Sequence, residues 1–369
     1  MRKLMIMTNT LYSGGAEKVL QTLLNNLDRN LYDITVYSLH RQKIDPEIFT
    51  KPFTYKVIFD EHAGGIELFR KIKGKIFNSY PPDVFYQLFI KEKYDIEIAF
   101  IEGESTKIIS GSKNPKSKKL AWVHTDMIKN NWTDFLYKTP DEEAEVYRKF
   151  DKIICVSEQV RNAFEKKYSV FNTVVKYNPV DSADIIKKSK EKFDADFVRP
   201  LIVSVGRLEE PKGYLRLVKC AAKLLGEGKY FSLMIIGEGK QRSELEKLIE
   251  EYGIGEYVKL PGFSKNPYKF IAAADAFICS SFVEGFSTAA TESIILGKPV
   301  YTLDCPGMKE LFGGEKCGEI LPNDDENLYT LLKDAVTDEE KRNLFTEGAK
   351  RRAEFFDIKK RISDIENLL

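Results

Sequence analysis

The chain has 369 residues, 43% of them hydrophobic, enough to fill two cores, and its 57 Lys and Arg stand against 56 Asp and Glu for a net charge of +1. That balance, with no zinc-finger spacing and no aromatic RNA-binding motif, argues against nucleic acid as a partner, and no apolar run reaches membrane-spanning length. Five cysteines without close pairs and three scattered histidines, His40, His62 and His124, form neither a disulfide framework nor a metal cluster, so a reduced, cytoplasmic protein without a bound metal is expected.

The first strand is predicted near 3–8; the run Met1-Arg2-Lys3-Leu4-Met5-Ile6-Met7 is too short, and too soon followed by polar residues, to be a signal peptide. Gly14-Gly15-Ala16-Glu17 then opens a helix predicted over 16–27, with Val19, Leu20, Leu23, Leu24 and Leu27 on one face. The glycine pair fits an ordinary tight turn or a phosphate contact, but the third glycine and the ribose acid of the dinucleotide fingerprint are missing. Further strands are predicted near 34–39, 55–59, 96–101, 119–123 and 152–156. Glu102 and Glu104 follow the strand near 96–101, and His124 follows the next one. Lys and Arg outnumber Asp and Glu by 28 to 23 in residues 1–180, whereas the remainder holds 29 against 33, giving halves of +5 and −4. The basic residues of the first half concentrate in Arg70-Lys71-Ile72-Lys73-Gly74-Lys75-Ile76-Phe77 and at Lys113, Lys116, Lys118 and Lys119. With Phe69, Ile72, Ile76 and Phe77 this reads either as an interfacial membrane patch or as a solvated basic helix.

Tyr177-Asn178-Pro179-Val180-Asp181 reads as a linker, followed by a polar stretch over 182–197. Asp194-Ala195-Asp196 resembles a metal-binding string, but it lies in that stretch beside Lys190, Glu191 and Lys192, away from any apolar strand end. The alternation of strand and helix restarts with strands near 201–205, 231–236, 257–260, 276–280 and 299–303. Two doubly wound parallel sheets are expected, with ligand held in a deep cleft between them at the carboxyl ends of the strands. The strand near 201–205 ends in Gly206-Arg207-Leu208-Glu209-Glu210-Pro211-Lys212-Gly213, where a guanidinium fork and a mobile ammonium can both reach one diphosphate. Gly237-Glu238-Gly239 suits the nucleoside side of such a ligand, and Phe263 reads either as a wall of a base pocket or as core. Glu284-Gly285-Phe286-Ser287-Thr288-Ala289-Ala290-Thr291-Glu292 runs from a strand tip into a helix that Ser287 or Thr288 can cap. The amides of the helix start favour an anion, and the two glutamates can accept from hydroxyls on either side of it, which suits a ligand ordered as sugar, phosphate, sugar.

Together these elements resemble the retaining glycosyltransferases of family 4, and the resemblance covers essentially the whole chain. It implies a GT-B fold: an acceptor-side Rossmann-like domain over 1–180, a nucleotide-sugar domain over 181–354, and a last helix over 355–369 that packs back on the first domain. It also implies transfer from a nucleoside-diphosphate sugar, with UDP-sugar the default, to a hydroxyl of a glycan or lipid-linked acceptor in surface polysaccharide biosynthesis. No cofactor or metal is implied. Carried over by position, Arg207 and Lys212 hold the diphosphate, Glu292 the ribose, and Glu284, His124 and the Gly285–Thr288 turn face the sugar and its leaving group. Gly14 and Gly15 close over the phosphates, while Glu102 and Glu104 contact acceptor hydroxyls or lie in a solvated loop. Peripheral attachment to the inner face of the cell membrane is a further expectation. A nucleotide-sugar epimerase or hydrolase, and a catalytically silent donor-binding partner, are the alternatives.

Overall fold

In a computed structural model the described residues are 1–11, 14–41, 48–59, 80–130 and 132–369. The basic run Arg70–Phe77 and His62 lie outside them. The chain divides into two compact units, one formed by Met1–Pro179 with Lys359–Leu369 and the other by Val180–Ile358.

Unit 1 holds strands β1 (Arg2–Thr8), β2 (Tyr32–His40), β3 (Thr54–Phe59), β4 (Ile96–Ala99), β5 (Lys118–Val123), β6 (Lys152–Cys155) and β7 (Thr173–Val175). Among the described residues they form one sheet in the order β3-β2-β1-β4-β5-β6-β7, and every pairing is parallel. Parallel strands are covered on both faces and so read as continuous apolar runs. Leu4, Met5, Ile6 and Met7 of β1 are all buried, each worth about 1.5–3 kcal/mol in area removed from water. The helix Gly15–Asn26 lays Val19, Leu20, Leu23 and Leu24 into the core, as its periodicity predicts.

Unit 2 repeats the plan with β8 (Leu201–Val205), β9 (Ser232–Ile236), β10 (Val258–Gly262), β11 (Ala276–Cys279), β12 (Val300–Leu303) and β13 (Gly318–Leu321), ordered β10-β9-β8-β11-β12-β13 and all parallel. In each unit the chain reverses its direction of winding beside the first strand: between β1 and β4, and between β8 and β11. Such switch points leave a crevice beyond the carboxyl ends of the strands, where ligands of open α/β sheets bind.

Three elements differ from expectation. β7 and β13 are edge strands of three and four residues, too short to carry a readable pattern. The stretch expected as a polar linker instead begins with a helix, Ser182–Ser189, whose N-cap Asp181 accepts from the Asp184 amide (3.0 Å). Only Ile185 of that helix is buried, so its apolar period is nearly invisible. The helix Ile358–Glu366 carries the chain back into unit 1, where Glu366 Oε1 accepts from the Asp28 amide (3.0 Å) and Ile362, Ile365 and Leu369 are buried. No described helix is long and apolar enough to cross a membrane.

Candidate active site

In unit 2 the loops leaving β8 and β11 are bound to each other. Phe282 N donates to Pro211 O (2.8 Å), and Ser280 Oγ donates to Lys212 O (2.8 Å). Between the loops Lys212 Nζ meets Glu284 Oε1 at 2.6 Å, and Ser281 Oγ donates to that same oxygen at 2.6 Å. Burial disfavours the Lys212 ammonium, but the Glu284 charge and hydrogen bond outweigh it and raise its pKa overall. The ammonium has three N–H donors, so its bond to Glu284 leaves capacity for an anion. Arg207, on the same loop, is exposed, with Nη1 3.3 Å from Glu209 Oε2.

The turn continues through buried Gly285 and Phe286 into the helix Thr288–Ile295. Ser287 is its N-cap, with Oγ accepting from the Ala290 amide (3.4 Å), and Glu292 is buried one turn further on. On the β9 side the loops approach backbone to backbone: Leu208 N donates to Glu238 O (2.9 Å), and Gly237 N donates to Gly262 O (3.0 Å). A Cβ at Gly237 would lie 1.9 Å from the Gly206 carbonyl oxygen, so only glycine fits. Phe263 is 69% exposed, which removes its reading as core and leaves it free to meet a ligand.

Two residues here carried no signal in the sequence. Arg216 is buried in the helix Tyr214–Gly226 and donates from Nε (3.1 Å) and Nη2 (2.5 Å) to Ser280 O, with Nη2 also 2.9 Å from Asn323 Oδ1. Asn323 in turn donates to Ser281 O (3.1 Å) and Phe282 O (3.3 Å). Both hold the backbone of the loop that carries Glu284. An arginine on an amphipathic helix reads as surface, and nothing in its spacing reveals that it caps carbonyls.

In unit 1, Gly14 is the extended N-cap of the helix Gly15–Asn26 and offers its first-turn amides no side-chain acceptor. Across the switch point Asn9, after β1, donates from Nδ2 to Glu104 Oε2 (3.3 Å) and accepts from Ser105 Oγ (3.1 Å). Glu102 and Glu104 are both buried, which overturns the solvated-loop reading. Glu102 Oε1 takes the amides of His124 (2.5 Å) and Thr125 (3.1 Å). Burial pushes its carboxyl up to about 7 against the pull of those amides. Burial pushes the His124 imidazole down to about 4, so the ring is neutral at physiological pH. Its Nε2 lies 2.8 Å from Phe100 O, and because a carbonyl only accepts, the proton is assigned to Nε2 and Nδ1 is left as an acceptor. Among the described residues no three His, Cys, Asp or Glu side chains are grouped as a metal would need, and all five cysteines are free and buried.

Two Rossmann-like parallel-sheet units of this kind make up the GT-B fold. The Glycosyltransferase Family 4 model matches residues 13–184 and the Glycosyl transferases group 1 model matches residues 185–352. The chain is a glycosyltransferase with the GT-B fold, related to both of these families. It is 29% identical over 367 residues, 97% of this chain and 96% of the relative, to the N-acetylgalactosamine-N,N'-diacetylbacillosaminyl-diphospho-undecaprenol 4-alpha-N-acetylgalactosaminyltransferase of Campylobacter jejuni. Among solved structures it is similar to TarM of S. aureus in complex with Fondaparinux, alpha-GlcNAc-glycerol and UDP (TM-score 0.77, 13% identity, 100% and 99% of the two chains). It is also similar to Anabaena HepE in complex with UDP-glucose (TM-score 0.74, 17% identity, 100% of both chains).

Proposed function

We propose that the chain transfers a sugar from a UDP-sugar, with retention at the anomeric carbon, to a hydroxyl of a lipid-linked glycan in surface polysaccharide assembly. The observation that carries this reading is the Lys212–Glu284 pair between the loops of β8 and β11, placed at the switch point of unit 2 and next to the capped helix start. In this reading Lys212 and Arg207, with the amides near Ser287 and Thr288 and those of the Gly14-Gly15 turn, stabilise charge growing on the departing diphosphate. Glu284 orients the sugar, Glu292 accepts from the ribose hydroxyls, and His124 Nδ1 accepts from a sugar hydroxyl. Gly237 and Phe263 line the nucleoside side. The bond between the anomeric carbon and the diphosphate oxygen breaks with its electron pair leaving on the diphosphate. The acceptor oxygen bonds to the same carbon on the same face, and its proton passes to the leaving phosphate oxygen. No metal is needed in this scheme, because the cations of unit 2 meet the leaving charge.

The Campylobacter jejuni relatives are N-acetylgalactosaminyltransferases acting on diphospho-undecaprenol-linked glycans, and TarM and HepE have been seen with UDP or UDP-glucose, which favours that acceptor class, an N-acetylhexosamine donor and UDP here. Calorimetry with nucleoside diphosphates, with and without EDTA, tests the donor site. UDP binding that survives EDTA and weakens in both Arg207→Ala and Glu292→Ala is expected. A folded protein that binds no nucleoside diphosphate would leave the silent-partner alternative standing, and UDP-sugar turnover without acceptor would favour the hydrolase or epimerase.

A further inference from the structure

We propose that Glu102 is a positioning residue that fixes the backbone of His124 so that its ring stays on the Phe100 carbonyl, the contact that sets its Nε2–H tautomer. The segment Phe100–Glu102 grips the residue twice. Phe100 O accepts from the ring Nε2 (2.8 Å), and two residues on Glu102 Oε1 accepts from the His124 amide (2.5 Å) and the Thr125 amide (3.1 Å). Ring and backbone are thereby fixed from one strand end. Phe100 N is itself held by Met7 O (2.8 Å), which ties this strand end to β1. The imidazole stacks on Trp122 (centroids 6.0 Å apart, planes 9° apart), so it has little freedom to turn about its axis.

Glu102 can reach back to β5 because the chain turns sharply behind it. Gly103 has φ of 84°, and a Cβ there would meet Leu136 and Trp132 at 3.1 Å. A buried glutamate with no cation bonded to the oxygen in question is costly to keep for stability alone, since an apolar residue avoids the desolvation. What Glu102 provides that an apolar residue cannot is an acceptor for two amides at the turn where His124 leaves its strand. The placement of His124 at the sugar rests on the function proposed above, whereas the grip of Glu102 on His124 does not.

The test is therefore spectroscopic first and kinetic second. The chain has three histidines, so 15N-histidine spectra of the full-length protein are assignable with a His124→Ala reference. In the wild type the His124 ring is expected as a pure Nε2–H tautomer that stays neutral down to about pH 5. Glu102→Gln, which keeps an acceptor oxygen in the same volume, is expected to preserve that signature. Glu102→Ala and Glu102→Asp, which lose or shorten the reach, are expected to give mixed tautomers and a ring pKa returning toward 6.5. An unchanged His124 signal in both of the latter variants, or a Gln variant as disturbed as Ala, overturns the proposal. If the Ala variant does not fold, the Gln and Asp pair decides alone.

In kinetics with the UDP-sugar accepted by the wild type, Glu102→Ala is expected to lower kcat about 10²-fold with UDP affinity unchanged, and to add nothing in a His124→Ala background. Additive losses in that background overturn the positioning role. Intact activity in His124→Ala alongside the expected spectra would leave the grip standing and remove His124 from the reaction.

Discussion

The two switch points solve the same problem in opposite ways. In unit 2 a carboxylate is set against a full positive charge, Glu284 against Lys212 at 2.6 Å, and the loops around them are laced by side-chain and backbone bonds. In unit 1 a carboxylate meets only backbone dipoles, Glu102 against the amides of His124 and Thr125, and burial pushes it up to about 7. An ion pair keeps both partners charged and leaves the lysine able to share its other N–H groups with an anion. Amides alone do not offset desolvation, so the unit 1 carboxylate titrates near neutrality. Unit 2 thus holds a charged pair at its switch point, whereas unit 1 holds a carboxyl on backbone amides beside a neutral imidazole.

The contrast breaks most sharply at the ion pair. Lys212→Ala and Glu284→Ala are each expected to lower kcat by about 10²–10³-fold, measured as initial rates of sugar transfer, together with a lower Tm because each leaves its part-buried partner unpaired. A loss under tenfold in both would place the chemistry elsewhere.

Stability against pH separates the two switch points next. The folded state keeps the Glu102 proton that the unfolded chain gives up above 4.5, so stability falls as pH rises from about 4.5 to about 7 and then levels, a term of order 3 kcal/mol. His124, lowered to about 4, opposes it, because stability falls as pH drops from 6.5 toward 4. The difference between wild-type and Glu102→Gln denaturant melts across this range is expected to isolate the falling Glu102 limb, since the other shifted groups, Glu97 and Glu143 among them, are common to both. A Gln variant that follows the wild-type curve would refute the raised carboxyl.

A smaller effect sharpens the backbone side of unit 2. Gly237→Ala forces a Cβ against the Gly206 carbonyl and is expected to cost about 2 kcal/mol or more, seen as a lower Tm together with weaker UDP binding. Arg207→Ala is expected to have the least effect of these five substitutions. Its guanidinium is exposed and loosely paired, so calorimetry should find UDP affinity reduced about five- to tenfold with the Tm unchanged.

Long or strongly apolar elements were legible in the sequence. β1, β8 and the helix Gly15–Asn26 stand where their hydrophobic pattern puts them, because tertiary burial and local pattern agree there. The helix Ser182–Ser189 was not legible, since one buried isoleucine among lysines and serines makes no period. The site divides in the same way. Glu284 and Lys212 stand out because they are charged residues at strand tips, and Ser287 because a cap has a local signature. Arg216 and Asn323 escape notice because their partners are carbonyl oxygens, which every residue possesses. Glu102 looked solvated because nothing in Phe100-Ile101-Glu102-Gly103-Glu104 announces the two amides that await it from a strand twenty residues later.

The return of Lys359–Leu369 to unit 1 makes unit 2, in topological terms, an insertion within unit 1. A ribosome therefore finishes residues 1–179 and then makes the whole of the second unit before supplying the segment that buries Ile362, Ile365 and Leu369. Until that moment the first unit carries an uncovered apolar strip, and the Asp28 amide lacks its glutamate acceptor. Unit 1 thus stays incomplete until all of unit 2 has been made, and a chain broken off before Lys359 is marked by an exposed surface that chaperones and proteases can read.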